Sequence, residues 1–393
     1  MKTLLLGALL TANTLFGITL DTLIDNALVR APSLEVIEAR LKANKYNIEI
    51  ADQFANPELL LTTNTLENSQ AMSQTVLSIK QKIPAYSKRS KREDVAVAED
   101  ALLEERLQAA KVTLVERIKS EAYTIWEIGE DIHIIDEYIQ LTKQNIHLYE
   151  SYTTVSQSEH IGIMKAELSL SDLKVQKTLL KAKLEAAYAR LSYLAAQKVK
   201  NLQVDASIEE KPSLKKLQAS LQKHNPDLLI NQKEIQKQSK IVALAKINNY
   251  PDINLIAGYA HRENFDNYFN IGVGLSLPIY GTEDAKEQQE KAVLLEKQSQ
   301  QSDTKLALLA QLRLYYAQML SAYNIYHIIQ DEALPQVAHM FELSNSSISV
   351  GSDLFKYIDV LFQKLDLEKK SIQAVANYKR AESKISALQG ETQ

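Results

Sequence analysis

The chain has 393 residues, with 45 Lys and Arg against 49 Asp and Glu, a formal net charge of −4 and no cysteine. A charge this close to neutral, with no basic stripe interleaved with aromatic residues, gives no basis for a nucleic-acid partner. The lack of cysteine excludes disulfides, thiolate metal sites, cysteine nucleophiles and a lipid carried on an N-terminal cysteine. Ten glycines and eight prolines are few for the length, which favours long uninterrupted helices over many short loops.

The first residues, MKTLLLGALLTANTLFG, place Lys2 before an apolar run from Leu4 to Leu10 and small residues near Gly17. This is the layout of a secretory signal peptide over 1–17, with an apolar run too short to span a bilayer. The mature chain is therefore expected outside the cytoplasm.

Beyond it the sequence repeats itself. Pro32, Pro57 and Pro84 recur as Pro226, Pro251 and Pro278, each 194 positions later. Ala51 and Ala245, Tyr86 and Tyr280, Leu173 and Leu367, Ala187 and Ala381, and Leu194 and Leu388 keep the same shift. Self-similarity at one fixed offset reads as a tandem duplication, with a first repeat over 18–205 and a second over 206–390.

Each repeat carries one β-hairpin, about 57–84 and about 251–278. In NIGVGLSLPIYG, Ile271, Val273, Leu275 and Leu277 alternate with Asn270, Gly272, Gly274 and Ser276, the period of a strand, and Pro278 stops it. The glycines are not a nucleotide loop, because the third glycine is missing and proline follows. Shifted back, Thr75, Leu77, Ile79, Gln81 and Ile83 hold the same phase, and PELLLTTNTLE and PDINLIAGYAH supply a second strand upstream of each. Strands of about ten residues match a tilted membrane crossing. Four strands cannot close a barrel, and an open edge in lipid leaves backbone groups unpaired, so several chains must contribute. The lipid-facing set is Leu59, Leu61, Leu77, Ile79, Ile253, Leu255, Ile271 and Val273. The competing reading keeps the hairpins as a soluble domain on a periplasmic coiled-coil scaffold or adaptor.

Everything else is helix. No strong break separates Pro84 from about residue 153, enough for a helix of roughly 100 Å at 1.5 Å per residue. Ile118, Ile125, Ile132, Ile139 and Ile146 fall seven apart, and Leu312, Met319, Tyr326, Ala333 and Met340 repeat that seam one copy later, which predicts coiled-coil packing. Polar stretches, SYTTVSQSEHIG and SNSSISVGSDLF, turn each long helix back into a return helix. The helical histidines lack the i, i+4 pairing of a metal site, and no catalytic motif is present, so neither metal, cofactor nor enzyme activity is expected.

The duplicated order of helix, hairpin, long helix, tip and return helix, together with LPQVAHMFELSNSSISVG, the Asp359-Val360-Leu361 triplet, NPDLLINQKEIQKQSKIVALAKINNYPDINLIAGY and GVGLSLPIYG, resembles the TolC-like outer-membrane efflux proteins. The resemblance covers almost the whole mature chain. It implies a mainly α fold with a small β part: a tandem-duplicated α-helical barrel of coiled-coil hairpins, and a transmembrane β-barrel closed with 12 strands by a homotrimer in outer-membrane lipid. It further implies a passive exit duct served by a periplasmic adaptor and an inner-membrane efflux pump, with the cargo left open among drugs, heavy-metal cations and secreted polypeptide. Asp359 matches the family's gating aspartate, and Asp353 is the second gate candidate. The tips expected to meet the adaptor are Ser156, Gln157 and Ser158 in the first repeat and Val350, Gly351 and Ser352 in the second. The glycine at the second tip lies further from Asp359 than the family pattern places it, and the first tip has Ser156 and Gln157 in place of a glycine.

Overall fold

The computed structural model describes residues 17–64, 72–85, 87–152, 157–208, 211–348 and 354–392. In order these form β1 (Ile18–Thr19), α1 (Leu20–Arg30), α2 (Pro32–Ala51), β2 (Glu58–Thr63), β3 (Gln74–Ile83), α3 (Lys88–Tyr152), α4 (Gln157–Leu194) and β4 (Leu202–Gln203). There follow α5 (Leu214–His224), α6 (Pro226–Ile247), β5 (Asp252–Arg262), β6 (Tyr268–Ser276), α7 (Thr282–His327), a π-helical turn (Ile328–Ala333), α8 (Leu334–Ile348) and α9 (Leu354–Leu388).

The 194-residue shift recurs in the backbone. It relates the starts of α1 and α5, α2 and α6, β2 and β5, β3 and β6, and α3 and α7, and the ends of α4 and α9. Proline sets one pair of boundaries. Ala31 and Asn225 adopt the extended backbone that a following proline demands (ψ 118° and 127°), which ends α1 and α5. Pro32 and Pro226 then open α2 and α6, where a missing N–H leaves nothing unpaired. The ends of α4 and α9 share a second device: the N–H groups of Gln197 and Glu391 reach back to the carbonyls of Ser192 and Ser386, with Ala196 and Gly390 in left-handed conformation between them.

Side-chain contacts repeat too. Asn44 Nδ2 donates to the Ala96 carbonyl at 2.9 Å, and Gln238 Nε2 to that of Glu290 at 3.1 Å. The Asp136–Lys177 ion pair is matched by Gln330 Nε2 donating to Ser371 Oγ at 2.8 Å. The Glu121–Arg190 pair is matched by Lys384 Nζ lying 5.3 Å from the centre of the Tyr315 ring.

Two compact units cut across this duplication, each taking segments from both halves of the sequence. One comprises Val36–Gln108 and Pro226–Leu306; the other comprises the described residues up to Glu35, Ala109–Asn225 and those from Ala307 onward.

The first unit holds a four-stranded antiparallel sheet in the order β2-β3-β5-β6. The two hairpins expected from the sequence form, and β3 joins β5 between them. Their internal registers differ by two residues: Leu59 faces Ile79, whereas its counterpart Ile253 faces Leu275 and not Val273. A hairpin's register follows its own loop, and the loops differ in length.

The second unit is helical apart from the short β1–β4 pair. In α3 the expected seam holds, with Ile118, Ile125, Ile139 and Ile146 buried and Ile132 half-buried. Around it Ile135, Tyr138 and Ile139 of α3, Ala166 and Leu173 of α4, and Ile358, Leu361 and Leu365 of α9 form one core. The second seam departs from expectation. Leu312 and Met319 are buried, but burial then moves to Ile329 and Val337, and Met340 is 45% exposed. The cause is the π-helical turn, where the Leu334 N–H reaches the Ile329 carbonyl, one residue further back than in an α-helix. Pro335 follows at once. It has no N–H to donate, and in an α-helix its ring would strike the Asp331 carbonyl. The extra residue in the turn carries every side chain beyond it around the axis, off the seven-residue repeat.

Candidate functional site

The sheet has two unlike faces. Leu59 and Leu61 of β2, Leu77 and Ile79 of β3, Ile253 and Leu255 of β5, and Ile271 and Val273 of β6 all lie on one of them, and all are exposed, Leu59 at 73% and Ile271 at 87%. The register adds Ala257, Tyr259, Phe269 and Leu275 to this face, in rows such as Leu59, Ile79, Ala257, Ile271 and Leu61, Leu77, Tyr259, Phe269. The Tyr259 and Phe269 rings touch, with centroids 5.1 Å apart. These four share the period-two phase of the others and were readable from it.

The opposite face mixes polar and empty positions with Leu60, Val76 and Ile256. It carries Glu58 paired with Lys80 at 3.3 Å, Ser78, Asn254, Asn270, Gly272 and Gly274. Asp252 ends it, accepting from Lys88 Nζ at 2.8 Å, from Lys82 Nζ at 3.1 Å and from the Ala85 N–H at 3.1 Å. Gly258 has a steric reason to be glycine, because a Cβ there would come within 2.3 Å of Asn270 Oδ1 and 3.1 Å of Ser78 Cβ. An apolar sheet face in water is an aggregation surface; against hydrocarbon the same face is in its proper solvent.

Of the gate and tip candidates, Asp359 lies on an exposed face of α9 and accepts from Gln363 Nε2 at 2.9 Å, while Tyr357, Ile358, Val360 and Leu361 around it are buried. The helix begins at Leu354, so Asp359 stands beyond its first turn and is not an N-cap. Gln157 and Ser158 belong to the first turn of α4. Asp353, Ser156, Val350, Gly351 and Ser352 lie outside the described residues. No described helix is long and apolar enough to cross a membrane, a statement about helices alone. Among the described residues no three His, Asp or Glu side chains gather to hold a metal.

One buried charge was not legible as such. Asp131 of α3 has its Oδ1 buried without a hydrogen-bond partner among the described residues, and burial pushes its carboxyl up to about 6 against the opposing pull of Lys369 and Lys183, with Glu127 adding to the rise.

No protein-family model and no curated protein matches the chain. Solved structures do. The open MtrE outer-membrane channel of Neisseria gonorrhoeae is 13% identical with a TM-score of 0.80, the match covering 95% of this chain and 89% of that one. The outer-membrane protein VceC of Vibrio cholerae is 14% identical with a TM-score of 0.76, covering 94% and 96%. The CmeC outer-membrane channel of Campylobacter jejuni is 14% identical with a TM-score of 0.77, covering 94% and 85%. The chain thus has the fold of the outer-membrane channels, the fold that its resemblance to the TolC-like efflux proteins implies.

Proposed function

We propose that the protein is an outer-membrane exit duct of a tripartite efflux system, a passive channel through which cargo leaves after an inner-membrane pump has delivered it by way of a periplasmic adaptor. The observation that carries this is the sheet: four antiparallel strands, β3, β5 and β6 of nine to eleven residues and β2 of six, with one exposed face of large apolar side chains, a more polar opposite face and two edges unpaired among the described residues. Three copies close these edges into a 12-stranded barrel, apolar face to lipid and polar face to the lumen. The fold shared with outer-membrane channels supports the reading, and so does the duplication of the chain into repeats 18–205 and 206–390. A soluble scaffold would leave Ile271, Leu59 and their neighbours in water.

The reading requires the protein to fractionate with outer membranes and to resist extraction by salt. Ile271→Arg, near the middle of β6, costs about 2–4 kcal/mol by exposing a cation to hydrocarbon and prevents assembly. A wild-type protein recovered in soluble form would overturn it. Within the same reading Asp359, exposed and free of any capping duty, supplies a ring of three carboxylates at the periplasmic constriction, a cation-selective filter. In planar bilayers Asp359→Ala lowers cation selectivity and block by multivalent cations; unchanged selectivity places the gate elsewhere, with Asp353 next.

A further inference from the structure

Contacts within each half of the chain recur at a shift of 194, as the Asp136–Lys177 and Gln330–Ser371 pairs do. A second class of contact joins the first half to the second: β3 pairs with β5, the Tyr138 hydroxyl donates to Glu368 at 2.9 Å, and Asn145 Nδ2 donates to the Tyr357 hydroxyl at 2.9 Å. Shifted by 194, each of these calls for the second half of one chain against the first half of another. A single chain leaves the surfaces for them bare. Among the described residues the outer edges of β2 and β6 are unpaired. Ile358 is 2% exposed and its counterpart Met164 is 58% exposed.

We infer that a second copy of the chain covers these surfaces by repeating the contact between the two halves, with β6 of one copy pairing with β2 of the next so that Leu275 faces Leu61 and Val273 faces Thr63, and with Glu332 beside Lys174 of the neighbour. This rests on the barrel reading above and fixes its register. The strand partners come from the pairs Gln81–Leu255 and Ile79–Ala257. The register keeps Leu61 and Leu275 on the apolar face, which a slip of one residue would destroy. The junction has no loop of its own, so the loop-set difference between the two hairpins does not carry into it.

Chemistry at the shifted positions agrees. Asp252, the carboxylate that accepts from the Ala85 N–H, has a second carboxylate, Glu58, as its counterpart. The Tyr138–Glu368 hydrogen bond becomes Glu332 against Lys174, opposite charges that are both exposed in the single chain.

The absence of cysteine makes the test direct. Three double variants are oxidised in mild detergent: Leu61→Cys with Leu275→Cys, and two controls displaced by two residues, Leu61→Cys with Val273→Cys and Thr63→Cys with Leu275→Cys. The first is expected to give covalent dimers and trimers at several times the yield of either control, and a higher yield from a displaced pair overturns the register. Lys174→Glu and Glu332→Lys are each expected to lower the assembled fraction severalfold, and the two together to restore it; a double variant no better than the singles overturns the helix contact. Native mass measurement of the wild type separates the two levels. A monomer overturns the barrel reading itself, whereas a trimer crosslinked through displaced pairs overturns the register alone.

Discussion

The two helical hairpins of this chain were built from one plan and are now covered differently. In the first, α3 runs unbroken for 65 residues and keeps a seven-residue isoleucine seam, while the return helix α4 leaves Met164, Leu168 and Val175 exposed. In the second, a π-helical turn before Pro335 interrupts the outgoing helix, yet the return helix α9 is the most enclosed of the set, burying Tyr357, Ile358, Leu361 and Leu365. Matched positions with opposite burial show that an amphipathic pattern alone does not decide what is core. What covers the stripe decides it, and for α9 the cover is α3, α4 and α8 of the same chain.

The sharpest way to test that difference is to truncate one matched pair. Ile358→Ala opens a cavity among Ile135, Tyr138 and Leu361 and is expected to cost about 3 kcal/mol, read as a lowered denaturation midpoint. Met164→Ala removes a side chain that touches little within its own chain, so its cost to unfolding is expected to stay below about 0.5 kcal/mol. On the proposed assembly its effect is expected in the assembled fraction instead. Equal unfolding costs at the two positions would mean that the halves are covered alike.

A smaller effect comes from a matched pair in which a half-buried charge replaces an apolar residue. Asp131 corresponds to Ile325, which is exposed. Burial raises the Asp131 carboxyl from 3.8 to about 6, so folding favours the neutral form. The stabilisation from that neutral form is complete below about pH 3.8 and is lost as pH rises through about 6. Asp131→Asn should therefore be close to the wild type at pH 4 and more stable by about 2 kcal/mol at pH 8, when denaturation midpoints are compared at both. A difference independent of pH would show that Asp131 stays ionised in the folded protein.

How much of this was legible in the sequence depends on the range of the interaction. The hairpins, the duplication and the exposed apolar face of the sheet could be read because period two, proline positions and a fixed offset are local signals that packing does not overwrite. The break in the second seam was signalled by Pro335, but a heptad count carries no term for the carbonyl four residues back, and Tyr326, Ala333 and Met340 were placed on a stripe that the extra residue turns away. The burial of Asp131 was hidden for another reason. Its neighbours Lys369 and Lys183 come from α9 and α4, and only tertiary contact brings them near. Asp359 is a gate candidate only through the family resemblance of its triplet, while its exposure and its Gln363 contact come from the fold.

The smallest contrast between the halves lies in two turns. Left-handed backbone occurs at Ser87 (φ 75°) and Ala196 (φ 49°) in the first half, and at the matched positions in the second half both residues are glycine, Gly281 (φ 75°) and Gly390 (φ 76°). The duplication kept the turns and changed the residues that make them. A side chain at positive φ brings Cβ against the following carbonyl at about 1 kcal/mol, whereas glycine has no Cβ to collide. At the end of α4 the hydrogen bonds that close the helix need this conformation, so Ala196 is held in it by its neighbours. Ala196→Gly removes the collision but frees the unfolded chain, and the two effects oppose each other. The net gain is expected to be about 0.5 kcal/mol, with Gly390→Ala losing about as much. Denaturation midpoints of the two single variants and of the pair check this: opposite shifts that cancel in the double variant confirm a shared turn geometry, and a loss at Ala196→Gly would mean that its methyl group packs more strongly than its backbone is strained.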